Sequence, residues 1–221
     1  MVKVLNTIHE DYHMHSINFS DGMNTIDEIV QYAGKIGMKK IVITDHSQAD
    51  IDDEKISFKN YRRNLRRRKN VYNDVEVVFW VEGDLLDDDG NCCFDIQGIE
   101  GDFCILSCHR SYKWDPKNIT QAYINAINKY HDKIKCMGHI CKGDTAKYLD
   151  VEAVADVLNT YDIPIEINCS YLSLGMTDTE KLDKLLSLIQ WWVYVNSDMH
   201  TLNDFSLRQA GFDYLKEKGF M

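Results

Sequence analysis

The sequence predicts an α/β fold assembled from consecutive strand–helix units, and three observations point to it. Short β-branched apolar runs alternate with amphipathic stretches along the chain. Seven such runs occur, ending near Asp11–Tyr12, Ile43–Thr44, Trp80–Val81, Leu106–Ser107, Cys136–Met137, Ile165–Ile167 and Val195–Asn196. Histidines and carboxylates recur where those runs stop. Alternation of this kind makes neighbouring strands parallel. Closure into a TIM-barrel-like cylinder is the natural way to join seven units in one small domain, with an open sheet as the alternative. At 221 residues the chain fits a single domain, 1–221.

The helices follow from spacing and caps. Asn24 to Gly37 carries Ile26, Ile29, Val30 and Ala33 on one face, and Thr25 with Glu28 forms a capping-box signature at its start. Thr177 with Glu180 repeats the signature before Leu182, Leu185, Leu186 and Ile189. Phe58 to Asn70, Ile119 to Tyr130, Val151 to Asn159 and Phe205 to Lys216 complete the set. Between the third and fourth strands, Asp87-Asp88-Asp89-Gly90 is a turn signal flanked by Leu85-Leu86 and Cys92 to Ile96. It predicts a β-hairpin inserted near 85–97. No internal repeat or low-complexity tail interrupts the pattern.

Composition narrows the function classes. The hydrophobic fraction of 44% is that of a globular protein, and no apolar run is long enough for a membrane span. Residues 1–11 lack the apolar segment of a secretory leader, and the seven cysteines are odd in number without a C-x-x-C pair. A reducing cytoplasm is therefore the expected location. A net charge of −10 argues against general nucleic-acid affinity. The stretch Arg62, Arg63, Arg66, Arg67, Arg68 and Lys69 runs against that balance. A solvated helix face is the favoured reading of it, and a patch attracting phosphorylated or polynucleotide substrates is the alternative.

The strand ends carry the chemistry. His13 and His15 lie two apart on an extended segment, so both point the same way. The second strand ends in Asp45-His46, the third in Glu82, the fourth in His109, the fifth in His139, the sixth in Glu166 and Asn168. The last ends in Asp198 and His200, again two apart. In a parallel barrel these ends share one rim. Neutral imidazole with carboxylate is the ligand mix of zinc, manganese or iron, and one ion needs about four ligands. The surplus points to two or three divalent ions with a bridging carboxylate. His9 and His131 fall outside the pattern and are read as non-ligands.

The order H-x-H, Ser-Asp-Gly, Thr-Asp-His, a strand-end glutamate, two single histidines and a final D-x-H resembles the PHP (polymerase and histidinol phosphatase) superfamily. The resemblance runs from Tyr12-His13-Met14-His15 to Ser197-Asp198-Met199-His200. The hairpin after Glu82 resembles that of the small stand-alone phosphatases. The resemblance implies a distorted seven-stranded (β/α)7 barrel with a trinuclear centre. His13, His15, Glu82 and Asp198 would hold the first ion, with Glu82 bridging to a second held by His109 and His139. Asp21, His46 and His200 would hold the third. Trp80 departs from the family pattern, in which a glycine commonly stands two residues before the glutamate.

These readings converge on a phosphoesterase that hydrolyses a phosphomonoester, histidinol-phosphate-like or another small phosphorylated metabolite. The expected reaction is in-line attack by a hydroxide bridging two ions. Asp198 and Glu82 stand at the reacting centre. Asp45 is a candidate to orient an imidazole, Arg110 to hold substrate phosphate, and Lys142 to meet an anion. Glu166 and Asn168 face the same rim without binding metal, and Tyr12 packs in the barrel. A nuclease or phosphodiesterase with the same metals is the nearest alternative. An amidohydrolase-type enzyme would place a lysine at a middle strand where Glu82 stands, and a non-catalytic accessory domain would have lost ligands, all of which are filled here.

Overall fold

The computed structural model describes residues 1–56, 70–101, 103–109, 112–113, 115–190 and 192–221. The predicted helix Phe58 to Asn70 and its arginines thus lie almost wholly outside the described residues. The strands are β1 (Lys3–Val4), β2 (Glu10–Asp11), β3 (Lys40–Ile43), β4 (Glu76–Phe79), β5 (Val81–Leu85), β6 (Cys92–Cys93), β7 (Asp95–Ile96), β8 (Ile99–Glu100), β9 (Cys104–Ser107), β10 (Ile134–Met137), β11 (Ile165–Asn168) and β12 (Trp192–Asn196). The fold is α/β, and its sheets are mostly parallel. One ladder has the order β1-β12-β11-β10-β9-β5-β6 and a second the order β2-β3-β4, with β7–β8 as a small separate hairpin. Two isolated parallel bridges, Met14↔Met199 and His46↔Glu82, run between the two large ladders. All ladder pairs except β5–β6 and β7–β8 are parallel.

The third strand differs from its predicted form. β4 pairs with β3, the chain breaks step at Trp80, and β5 then pairs with β9. The strand runs on to Leu85 because Asp84 and Leu85 pair with Cys93 and Cys92 in the inserted hairpin. Glu82 consequently sits inside β5 rather than at a strand end. The hairpin turn closes with Gly90 donating to the Asp87 carbonyl at 3.0 Å. Gly90 has φ +78°, and a Cβ there would lie 2.4 Å from the Ala126 backbone nitrogen. Only glycine lets the turn pack this closely on the helix Ile119–Tyr130.

Helix starts follow the sequence with two corrections. Thr25 and Glu28 form the reciprocal capping box of the helix Ile26–Lys35, which buries Ile26, Ile29, Val30 and Ala33. The box expected from Thr177 and Glu180 does not form. Asp178 caps the helix Thr179–Leu188 by accepting from Lys181 N, because Thr177 is held in a bridge to Lys142. The last helix begins as a 3-10 turn, Leu202–Leu207, capped by Thr201 and Asp204, before the α-helix Arg208–Glu217. No helix among the described residues is long and apolar enough to cross a membrane.

Among the described residues the core has three parts. A large one joins β9–β12 to their helices, and a second joins β3–β5 to the helix Ile26–Lys35. Between them Val42, Trp80, Ile105, Cys136 and Tyr194 pack with Leu5, Tyr12 and Val78 inside the strands. Trp80 is therefore a filler of this inner layer, with its ring 5.6 Å from that of Tyr12. It does not line the cavity at the strands' C-terminal side.

Candidate metal centre

The two D/H-x-H segments are brought together by the seam between β12 and the chain after β2. His15 N donates to the Met199 carbonyl at 2.8 Å. On the facing side, Ser47 N donates to the Glu82 carbonyl at 2.9 Å and Glu82 N to the Asp45 carbonyl at 3.1 Å. All nine predicted ligands, His13, His15, Asp21, His46, Glu82, His109, His139, Asp198 and His200, meet at one rim.

Glu82 lies at the centre, fully buried. Its Oε2 is 3.3 Å from His13 Nε2, 3.3 Å from His15 Nε2 and 3.1 Å from His46 Nδ1. Its Oε1 is 3.0 Å from His139 Nε2 and 3.4 Å from His109 Nε2. Asp198 Oδ1 closes the first group at 3.4 Å from His13 Nε2 and 3.1 Å from His15 Nε2. Asp21 Oδ1 joins His46 Nε2 at 3.4 Å to His200 Nε2 at 3.2 Å. The carboxylate of Glu82 is shared between two imidazole groups, and Asp21 gathers a third.

The outer nitrogens are held. Glu166 Oε1 is 2.7 Å from His13 Nδ1, and Asp84 Oδ1 is 2.8 Å from His109 Nδ1. Ser20 Oγ is 3.1 Å from His15 Nδ1, and the Asp198 carbonyl is 3.1 Å from His200 Nδ1. Such contacts fix the ring orientation and leave Nε2 facing inward. Asn168 donates to both Glu166 and Asp198, and Asn196 donates to Glu166. Asp198 and His139 have φ +53° and +22°, conformations that L residues seldom adopt and that the surrounding packing must enforce.

The electrostatics fit a cation-binding cluster. Burial pushes the Glu82 carboxyl up, but the His109 and His13 charges outweigh it and hold the group well below its ordinary value. Asp198 behaves likewise, burial being overcome by His13 and His15. Burial disfavours charge on His109, yet Glu82 and Asp84 raise it to about 9. His15, by contrast, is driven down to about 3 by burial and by the His46 and His200 charges. His139 is lowered to about 4 by burial and by Lys142. So many rings around two acids cannot all be protonated, nor can neutral rings satisfy one another. His13 Nε2 and His15 Nε2 face each other at 3.2 Å, and His46 Nδ1 and Glu82 Oε2 lack a hydrogen bond of good geometry. Divalent cations among these donors would resolve both conflicts.

Other predicted residues divide. Asp45 does not orient an imidazole: its Oδ1 accepts from Ser16 N at 2.6 Å and its Oδ2 from Ser16 Oγ at 2.8 Å. It ties the loop after β2 to the end of β3, and burial raises it to about 7. Arg110 lies outside the described residues. Lys142 places Nζ 4.1 Å over the Tyr171 ring on the wall of a cavity of about 590 Å³. That cavity also takes in Asp50, His109, Tyr112, Met176 and His200. His9 and His131 are remote, His9 contacting the Gly37 carbonyl and His131 the Tyr161 ring. Asp84 was missed by the sequence reading, though it lies two residues past Glu82 in one strand and so faces the same side.

A PHP domain family model matches residues 11–170. A protein named "probable phosphatase" from Caldicellulosiruptor saccharolyticus is 28% identical over 201 residues, covering 88% of this chain and 81% of the relative. The solved structure of histidinol phosphate phosphatase from Lactococcus lactis, complexed with zinc, L-histidinol and phosphate, aligns with TM-score 0.54 at 13% identity, covering 96% of this chain and 94% of that one. A Listeria monocytogenes structure provisionally assigned as a histidinol phosphatase aligns with TM-score 0.56 at 14% identity, covering 88% of this chain and 96% of that one. The last two share the fold. With the family model spanning most of its length, the chain belongs to the PHP domain family.

Proposed function

We propose that this protein is a metal-dependent phosphatase that hydrolyses the phosphomonoester of a small metabolite. The observation that carries the reading is the buried Glu82 carboxylate, whose two oxygens face five imidazoles at 3.0–3.4 Å. The phosphatase names of the relatives and the zinc and phosphate of the Lactococcus structure support the same chemistry. We assign His13, His15, Asp198 and one Glu82 oxygen to a first cation. The other Glu82 oxygen, His109 and His139 would hold a second, and Asp21, His46 and His200 a third. Zinc, manganese and iron all suit this donor set. We also read the two ladders as one distorted seven-stranded barrel joined through the Met14↔Met199 and His46↔Glu82 bridges.

Cations held there supply neutralisation of phosphoryl charge and water that is acidic near neutral pH. The chain's own residues do the rest. Glu166 and Asp84 hold the outer nitrogens of His13 and His109, so their inner lone pairs converge on Glu82. Lys142 presents an ammonium on the cavity wall where a phosphate oxygen is to be met. Tyr112, Tyr171 and Met176 offer apolar surface to the leaving alcohol. A cavity of about 590 Å³ suits a small ligand, and the net charge of −10 disfavours a polyanion.

The test combines elemental analysis of the purified protein with a panel of phosphomonoesters, phosphodiesters and short oligonucleotides, with and without chelator. Two or three metal equivalents and chelator-sensitive monoesterase activity are expected. A metal-free protein that hydrolyses monoesters at full rate would refute the reading.

A further inference from the structure

Three buried serine–aspartate pairs step around the rim in one direction. Ser197, after β12, donates through Oγ to Asp11 Oδ2 of β2 at 2.5 Å, while Asp11 Oδ1 accepts from Ser197 N and His13 N. Ser16, after β2, is tied to Asp45, after β3, as described above. Ser47, after β3, donates through Oγ to Asp84 Oδ2 of β5 at 2.7 Å. Asp84 Oδ1 then meets His109 Nδ1, beyond β9, at 2.8 Å. Each serine thus reaches an aspartate on the next strand, and all six residues are at most 1% exposed.

Two of these pairs stand at the seams where the backbone ladder is thinnest. Between β12 and the chain after β2, and between β3 and β5, pairing falls to the single bridges Met14↔Met199 and His46↔Glu82. Those seams separate the H-x-H segment from D-x-H, and His46 from Glu82. A hydroxyl-to-carboxylate bond in a dry site is short, directional and roughly twice as strong as a neutral one. It can therefore fix a spacing that the ladder leaves loose.

We propose that Asp84 is a positioning residue, joining the last of these serine–aspartate pairs to His109. It locks His109 with Nδ1 outward and Nε2 toward Glu82, and so sets the second metal group. The inference rests on the metal-dependent reading above. In zinc-loaded, ¹⁵N-histidine-labelled full-length protein, long-range ¹H–¹⁵N correlation spectra, assigned against His109→Gln, should show His109 protonated at Nδ1 and metal-bound at Nε2. Zinc bound at Nδ1, or a proton on Nε2, would overturn the proposal. Zinc competition with a chelator should show Asp84→Ala weakening one equivalent by about 10- to 100-fold. Asp84→Asn, whose amide oxygen can still accept from Nδ1–H, should recover most of that loss. Wild-type zinc affinity in Asp84→Ala, or equal losses in folded Asp84→Ala and Asp84→Asn, would also overturn it. If Asp84→Ala does not fold, the wild-type spectrum decides alone. Wild-type protein that holds no zinc would refute the metal reading instead.

Discussion

Replacing Glu82 by glutamine keeps the shape of the side chain and removes one buried negative charge. In the native site that charge lies 3.0–3.4 Å from five ring nitrogens. At an effective dielectric constant of about 20, a unit charge about 3.3 Å away is worth about 5 kcal/mol. That corresponds to between three and four decades in cation affinity at about 1.4 kcal/mol per decade. The amide oxygen keeps part of the interaction, but the amide nitrogen must then face one imidazole group and cannot ligate. Glu82→Gln should therefore lose at least about 100-fold in affinity for metal, and turnover should fall with it. The assay is elemental analysis after gel filtration from zinc or manganese, beside turnover of a phosphomonoester at saturating metal. Far-UV circular dichroism of the metal-free variant separates site loss from unfolding. A folded Glu82→Gln protein with full metal content and native turnover would refute the assignment of Glu82 as the shared ligand, and with it the trinuclear arrangement.

Metal affinity should depend on pH through His109, which sits at about 9 in the metal-free fold, against an ordinary 6.5. A cation must displace that proton, so affinity should rise at least about tenfold per pH unit between about pH 7 and 9. The sign for stability is opposite: His109 stabilises the metal-free fold fully below about pH 6.5, and the contribution fades as pH rises through about 9. A flat chelator-competition profile over that window would contradict this. Lys142→Ala should raise KM for a monoester and weaken inhibition by inorganic phosphate by about tenfold, with metal content intact. Unchanged phosphate inhibition would remove Lys142 from the substrate site. Gly90→Ala forces a Cβ to 2.4 Å from the Ala126 nitrogen at φ +78°, and should cost at least about 2 kcal/mol, read as a lower Tm. An unchanged Tm would show that the turn can move off the helix.

Eight of the nine candidate ligands could be read from the sequence because each sits near a place where hydrophobic patterning changes, while Asp21 came only with the family resemblance. A run such as Ile41 to Ile43 announces a strand, and the first polar residues after it must lie at the strand's end. His46, His109, His139 and Asp198 were found in that way, and period two paired His13 with His15 and Asp198 with His200. What patterning does not carry is pairing between distant residues. Asp45 and Asp84 look equivalent, each beside or near a ligand. Yet Asp45 is taken up by Ser16 and Asp84 by Ser47 and His109. The helix boundary at Thr177 fails for the same reason, since a bridge to Lys142 decides it.

Four outer acids, of which the sequence reading singled out Asp45 and Glu166 but not Asp11 or Asp84, share a property with bearing on the candidate metal centre. Asp11, Asp45, Asp84 and Glu166 are buried acids that accept hydrogen bonds from serine, backbone or the outer nitrogen of a histidine, rather than facing Glu82. Each places a carboxyl group just outside a cluster that is otherwise rich in imidazole. A centre holding two or three divalent ions carries more positive charge than Glu82, Asp198 and Asp21 can offset. Outer acids that ionise would offset part of the remainder without taking up ligand positions. That division explains why acids and histidines alternate so closely along the strand ends, and why counting ligands alone understates how much of this chain is committed to the site.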